Sequence, residues 1–338
     1  MSRRVFLALG GLVLTAVAAL WAQDAEPEPI RVSVTEVMVP VTITDAEGRF
    51  VTGLKKENFE LYDEGIRQNI RFFAAEGRQP VVVGFLMDLS TSMRTSDWKT
   101  FQENATVMIS QLMGEGDQRY QGYLVGMSTE AEVMVDTTFN PQSIIDKVNK
   151  LTPGGGAALA DAIYLACTKR KLVPGEPLDP RRVIIVFGSG LDTSRTHSLD
   201  EVIELAKRNS VTIYAVSTDR YGITSPNNKN LRKLAEETGG RVEYPLMSTY
   251  KDTAGFLSYS YNGPEGNRAY VSGTGGYTNQ ILKALTRSVQ AIAGDIQQQY
   301  ILRFVPNTPE VDVPEHRLTV RVNLPNVNVN TRKSYFSQ

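Results

Sequence analysis

Directly after the apolar run Val81–Met87 (VVVGFLM) the chain reads Asp88-Leu89-Ser90-Thr91-Ser92. One carboxylate followed by two hydroxyls on a short loop offers hard oxygen donors. Mg²⁺ or Mn²⁺ takes such donors while keeping several of its waters. The same residue types also serve a plainer purpose, because Asp and Ser side chains accept backbone N–H bonds at turns and helix starts. From these residues alone both uses stay open. Other chemistry is thin. Gly154-Gly155-Gly156 lacks the Lys-Ser/Thr pair of a phosphate loop. Gly188-Ser189-Gly190 does not complete a G-x-S-x-G elbow. Cys167, beside Ala166, fits a small core residue. His197 and His316 have no acidic pattern near them in the sequence that would make either a base. With no nucleophile–base pair and no paired carboxylates, the sequence does not point to an enzyme.

Composition narrows the field further. The 338 residues carry 36 Lys+Arg against 37 Asp+Glu, a net charge of -1, which excludes the basic face of a general nucleic-acid binder. With 41% hydrophobic and 22% charged residues, the bulk of the chain is globular. A single cysteine excludes an internal disulfide and a multi-thiolate zinc site, and two histidines exclude a His-rich metal centre.

The elements that must position the Asp88 loop follow from periodicity. Residues 1–22 have the form of an export leader: Arg3 and Arg4, then the uncharged run from Phe6 to Leu20, then Leu20-Trp21-Ala22 as a cleavage site. The run is shorter than the roughly 20 residues of a spanning helix, so no permanent membrane span is expected. Ser2-Arg3-Arg4-Val5-Phe6-Leu7 is similar to the twin-arginine motif, with an ordinary secretory leader as the alternative. Residues 23–29 form an acidic, Pro-containing linker. Alternating apolar positions then predict a β module over 30–77, with Pro40 placing its strand near a sheet edge. From Pro80 to about residue 294 buried-type strands alternate with amphipathic helices, as in a doubly wound, mostly parallel α/β sheet. Within it, 251–277 is rich in Gly, Ser, Tyr and Asn and is expected to be a surface insertion. Period-two patterning returns over 296–338. Neither β segment suffices alone, so the two are expected to pair as one sandwich-like module with the α/β unit inserted between them.

This α/β stretch resembles a von Willebrand factor type A domain. The resemblance rests on Asp88-Leu89-Ser90-Thr91-Ser92, matching D-x-S-x-S, and on the Pro153–Ala162 segment PGGGAALADA. It rests also on the Gly188–Asp192 turn after Arg182–Phe187, and on Leu234–Gly240. The flanks, with Val51-Thr52-Gly53-Leu54 and Gln299-Tyr300-Ile301-Leu302, are similar to an exported, acidobacterial-type bacterial subgroup of that family.

The resemblance implies a metal-ion-dependent adhesion site, with Asp88, Ser90 and Ser92 as ligands to Mg²⁺ or Mn²⁺ and a partner's acidic side chain completing the coordination. It also implies a threonine where this chain has Ala157 and an aspartate where it has Ser189. One hydroxyl and one carboxylate are therefore missing; Asp161 and Asp192 could compensate at longer range, although the resemblance gives neither that role. The expectation is an exported, periplasmic or extracellular, non-enzymatic binding protein with a degenerate metal site. The alternative is a metal-independent structural component of a cell-envelope assembly.

Overall fold

The computed structural model describes residues 36–75, 79–94, 98–114, 116–168, 180–219, 225–246, 275–307 and 314–336. The leader, the linker and residues 251–274 of the expected insertion lie outside them. Four strands come first: β1 (Val37–Asp45), β2 (Phe59–Asp63), β3 (Ile66–Gln68) and β4 (Phe72–Ala74). The central unit follows as β5 (Val81–Asp88), α1 (Trp98–Leu112), β6 (Tyr120–Met127), β7 (Ala131–Thr138), α2 (Pro141–Val148) and α3 (Leu159–Thr168). It continues through β8 (Arg181–Gly188), α4 (Leu199–Arg208), β9 (Val211–Ser217), α5 (Asn228–Thr238), β10 (Val242–Glu243) and α6 (Gly275–Gln297). Last come β11 (Tyr300–Phe304), β12 (Glu315–Val322), β13 (Val327–Thr331) and β14 (Ser334–Phe336).

The central sheet has the order β10-β9-β8-β5-β6-β7, parallel throughout except for the antiparallel edge strand β7. Every residue of β5 is buried because both faces of the sheet are covered. Val81, Val83, Phe85 and Met87 pack with residues of α1, α2 and α6 on one side. Val82 and Leu86 pack with residues of α3, α4 and α5 on the other. Strand order reverses at β5, which leads to β6 on one side and has β8 on the other. The ends of β5 and β8 therefore open a crevice at the carboxyl edge of the sheet.

Two antiparallel four-stranded sheets flank this unit, ordered β13-β1-β11-β4 and β14-β12-β2-β3. Each mixes strands from before and after the central sheet, as expected of an α/β unit set into one β module, and they share a core built on Val39, Val41, Leu61, Tyr300, Leu302 and Phe304. Phe59, Phe73 and Tyr300 meet ring to ring with centroids 5.1–5.9 Å apart. The Tyr300 hydroxyl donates to the Val51 carbonyl at 2.9 Å and accepts from the Leu54 N–H at 3.1 Å. The two flank motifs thus meet across nearly 250 residues of sequence.

Two details depart from the sequence reading, and the flanking sheets leave two large apolar side chains exposed. β1 is an inner strand, not an edge. It pairs β11 over Val37–Val41 and β13 only from Val41 onward, so Pro40 sits where one side is free of ladder bonds and its missing N–H costs nothing. α6 runs on to Gln297, beyond the expected end of the α/β unit near residue 294, and takes in residues 275–277. Its last turn is held by Arg181, whose guanidinium donates to the Ile296 carbonyl at 2.9 Å and to Gln299 Oε1 at 3.0 Å. Finally, Ile66 and Phe72 point to solvent, while Phe59, Leu61 and Ile70 are buried.

Candidate functional site

Three loops converge at the crevice. The first leaves β5 at Asp88 and enters a short 3-10 turn over Thr91–Met93. The second, 153–158, leads into α3, and the third leaves β8 at Gly188. The first two are stitched by Thr91: its N–H donates to the Gly155 carbonyl at 3.0 Å and its hydroxyl to the same oxygen at 3.0 Å, while the hydroxyl also accepts from the Gly155 N–H at 3.2 Å.

Asp88 and Ser90 are buried, and Ser92 is exposed at the rim. Asp88 Oδ1 accepts from the Ser90 N–H at 2.9 Å. Asp88 Oδ2 accepts from the N–H and the hydroxyl of Ser189, at 3.1 and 3.2 Å. Ser90 Oγ and Ser92 Oγ lie 2.6 Å apart. Gly188 permits this closeness, since a Cβ there would stand 2.8 Å from the Asp88 Cβ. The structure therefore brings Asp88, Ser90, Ser92 and Ser189 together.

Ala157 lies in the same cluster but contributes only backbone, its N–H donating to Thr193 Oγ1 at 2.9 Å and its carbonyl accepting from the Thr193 N–H at 2.7 Å. Neither acid that could have compensated turns toward Asp88. Asp192 Oδ1 caps α3 across the loop, accepting from the N–H groups of Leu159 and Ala160 at 3.1 and 3.3 Å. It also takes the Ser194 hydroxyl at 2.6 Å. Asp161 accepts from the backbone N–H groups of Arg195 and His197.

The donor set can hold a hard cation only sparsely. Three oxygens from one loop suit Mg²⁺ or Mn²⁺ chemically, yet the second loop adds a methyl group, and the Ser189 hydroxyl is turned to Asp88 as a donor. Among the described residues no group of three or more His, Cys, Asp or Glu side chains is placed to hold a metal ion.

Both histidines correct the sequence reading, for each has an acid beside it. His197 Nδ1 lies 2.9 Å from Asp161 Oδ1, and its ring stacks on Tyr164 at 3.6 Å. His316 Nδ1 lies 3.3 Å from the buried Asp63, which also accepts from the Tyr335 hydroxyl at 3.0 Å. These partners are 36 and more than 250 residues away, so no local spacing could have revealed them. Asp161 fixes the His197 ring, His316 stacks on Tyr335 with centroids 5.0 Å apart, and no Ser or Cys hydrogen bond to either ring is present among the described residues. Burial pushes the Cys167 thiol up to about 12, against a weaker opposite pull from Arg182, which leaves it protonated and unreactive.

The von Willebrand factor type A domain model matches residues 83–253, just over half of the chain. No curated protein gives a match. Similar solved structures include the conserved hypothetical protein BatB from Bacteroides thetaiotaomicron, at 14% identity and TM-score 0.39, covering 62% of this chain and 99% of that one. The von Willebrand factor domain of the type V pili tip protein Mfa5 from Porphyromonas gingivalis gives 12% identity and TM-score 0.42 over 59% of this chain and 99% of that one. Proximal thread matrix protein 1 from the mussel byssus, with a zinc-occupied adhesion motif, gives 15% and 0.44 over 55% of this chain and 48% of that one. The sequence match, over a doubly wound sheet with D-x-S-x-S at the end of its central strand, shows that the chain belongs to the von Willebrand factor type A domain family.

Proposed function

We propose that this is a non-enzymatic binding protein that recognises another protein through the loops at the carboxyl edge of its central sheet. The observation that carries this reading is the convergence of Asp88, Ser90, Ser92 and Ser189 at the β5–β8 crevice, a place the fold leaves open. Domains of this family are typically interaction modules, and function resides in the site rather than the fold. The metal contribution is weak, because Ala157 and Ser189 stand where further ligands belong. An acidic side chain from the partner would meet Ser92 at the rim, with the buried Asp88 and Ser90 behind it, with or without a bridging cation.

The apolar leader supports export to the periplasm or the cell exterior, by the twin-arginine route if Arg3 and Arg4 are read as that motif. No described helix is long and apolar enough to cross a membrane. Intact-mass measurement of the protein from its native host should give a chain lacking roughly its first 22 residues. A chain retaining Met1 in the cytoplasm would contradict export.

The functional test is affinity capture from the native cell envelope with the immobilised chain, with and without chelator, using Asp88→Ala as the control. Loss of a specific partner on Asp88→Ala, with little effect of chelator, supports recognition at a degenerate site. Retention of the partner by Asp88→Ala favours the second reading, a metal-independent structural component binding through the flanking sheets. That reading draws on the solvent-facing Ile66 and Phe72 of β3 and β4, both edge strands.

A further inference from the structure

The seam between the central unit and the flanking sheet β13-β1-β11-β4 contains a charge arrangement that plain packing does not require. Asp295, near the end of α6, is 1% exposed, and its carboxylate lies 3.2 Å from Arg241 Nε. Glu243 on β10 lies 3.1 Å from the same nitrogen. Two carboxylates thus share one guanidinium. Among the described residues neither Asp295 oxygen has a hydrogen-bond partner, and neither has the buried Tyr244 hydroxyl. A cleft of about 400 Å³ borders the cluster, walled by Asp295, Arg241 and Tyr244 on one side and by Thr42, Thr44 and Asn330 of β1 and β13 on the other.

Among the described residues no further cation neutralises the pair from close by. From β9 comes Tyr214, a phenol that burial holds un-ionised, and Arg181 of β8 is engaged with Gln299 and the Ile296 carbonyl. From α5 come Arg232 and Glu236 at the cleft mouth, themselves 4.0 Å apart. The residues of β1 and β13 that face the cleft carry no charge. A carboxylate as inaccessible as Asp295, sharing one counter-charge with the partly buried Glu243, cannot ionise alongside it without a large desolvation cost, so the pair holds a proton at pH values where free carboxylates have lost theirs.

We propose that Asp295, Glu243 and Arg241 form a proton-operated joint, in which protonation of the carboxylate pair closes the central unit onto β1 and β13 and loss of that proton loosens the seam. Burial pushes the Asp295 carboxyl up to about 7, with Arg241 pulling it down less strongly and Glu243 adding to the rise. The folded value lies above the unfolded one. The stabilisation is therefore complete below about pH 4 and is lost as pH rises through about 7.

The test uses the full chain, comparing wild type with Asp295→Asn and Glu243→Gln. Melting temperature and backbone amide exchange of residues 41–45 and 327–331 are followed from about pH 5 to 8, with exchange corrected for its intrinsic pH dependence. Wild type is expected to lose melting temperature and roughly hundredfold protection at the seam across that range, because about two pH units of it lie below the folded value and one decade corresponds to one pKa unit. Asp295→Asn should be flat, and Glu243→Gln should move the wild-type transition to lower pH. An Asp295→Asn profile with the wild-type slope would overturn the joint. Should that variant not fold, the protonated-carboxyl infrared band of wild type decides: its persistence at about pH 6 and its loss in Glu243→Gln support the proposal, and its absence in wild type at that pH overturns it.

Discussion

Asp88 is held by three N–H or O–H donors from its own chain, so its burial is met without an outside cation. Ser189 supplies two of them, and Ser189→Ala should cost about 1–2 kcal/mol by leaving Asp88 Oδ2 with one donor fewer, as read by denaturant unfolding. Gly188→Ala should cost more, because the added methyl meets the Asp88 Cβ within a packed parallel sheet.

Metal binding is predicted to be millimolar at best. At Mg²⁺ equal to such a dissociation constant, linkage stabilises by about 0.4 kcal/mol, a shift of roughly one or two degrees in melting temperature. Ala157→Thr combined with Ser189→Asp should give a clear Mg²⁺-dependent rise that Asp88→Ala removes. A large wild-type shift abolished by Asp88→Ala would show that the site works without those ligands. The Asp88, Ser90 and Ser92 cluster was legible in the sequence because it is local, five residues after a strand. The Asp192 cap, the Ser189 bonds to Asp88 and the His197–Asp161 contact are made across 30 to 100 residues, and only the fold brings them together.

At the scale of elements, α3 depends on a cap that its own sequence lacks. Gly156, Ala157 and Ala158 precede it and offer no side-chain oxygen, so Asp192 from the third loop accepts from its first N–H groups. Asp192→Ala is expected to destabilise the protein by about 1 kcal/mol, within the usual range for a lost cap, and to loosen the second and third loops together. Unfolding free energy and amide exchange at Leu159 and Ala160 would check this. Unchanged exchange there would remove the cap from the account.

The last strand is anchored in the same indirect way. Lys207 of α4 donates to Glu237 at 2.5 Å, to Glu315 of β12 at 2.8 Å and to Ser334 of β14 at 3.0 Å. Arg208 lies 4.6 Å over the Phe336 ring. Gly239 closes α5 at φ 84° where any Cβ would stand 2.5 Å from the Arg332 N–H, so the chain after β13 packs directly on the helix end. The alternating helices and strands of the central unit, such as α4 and β9, were legible from hydrophobic period. The inner position of β1 was not, because Pro40 marks a locally unpaired side and says nothing about the rest of its strand.

Taken whole, the molecule is an α/β sheet carried between two sheets that each need both ends of the chain. Tyr300, Leu302 and Phe304 cover Val39 and Val41, and all five are essentially inaccessible. A chain ending near Gly294 should therefore expose the early strands at about 1.5–3 kcal/mol for each large side chain fully uncovered. Aggregation or rapid proteolysis before Pro80 is the expected outcome, and a soluble, protease-resistant product would refute the shared core. The pairing was legible from two β segments each too short to stand alone; which strands neighbour which depends on crossovers that periodicity does not encode.

The central claim is that recognition occurs at the carboxyl-edge loops. It is tested most directly by placing a photo-cross-linking residue singly at Thr91, at Arg119 on the opposite edge of the sheet, or at Phe72 on β4, and irradiating in the native envelope. The account predicts a discrete protein adduct from Thr91 and none from Arg119 or Phe72. An adduct from Phe72 with none from Thr91 would contradict it and assign binding to the flanking sheets.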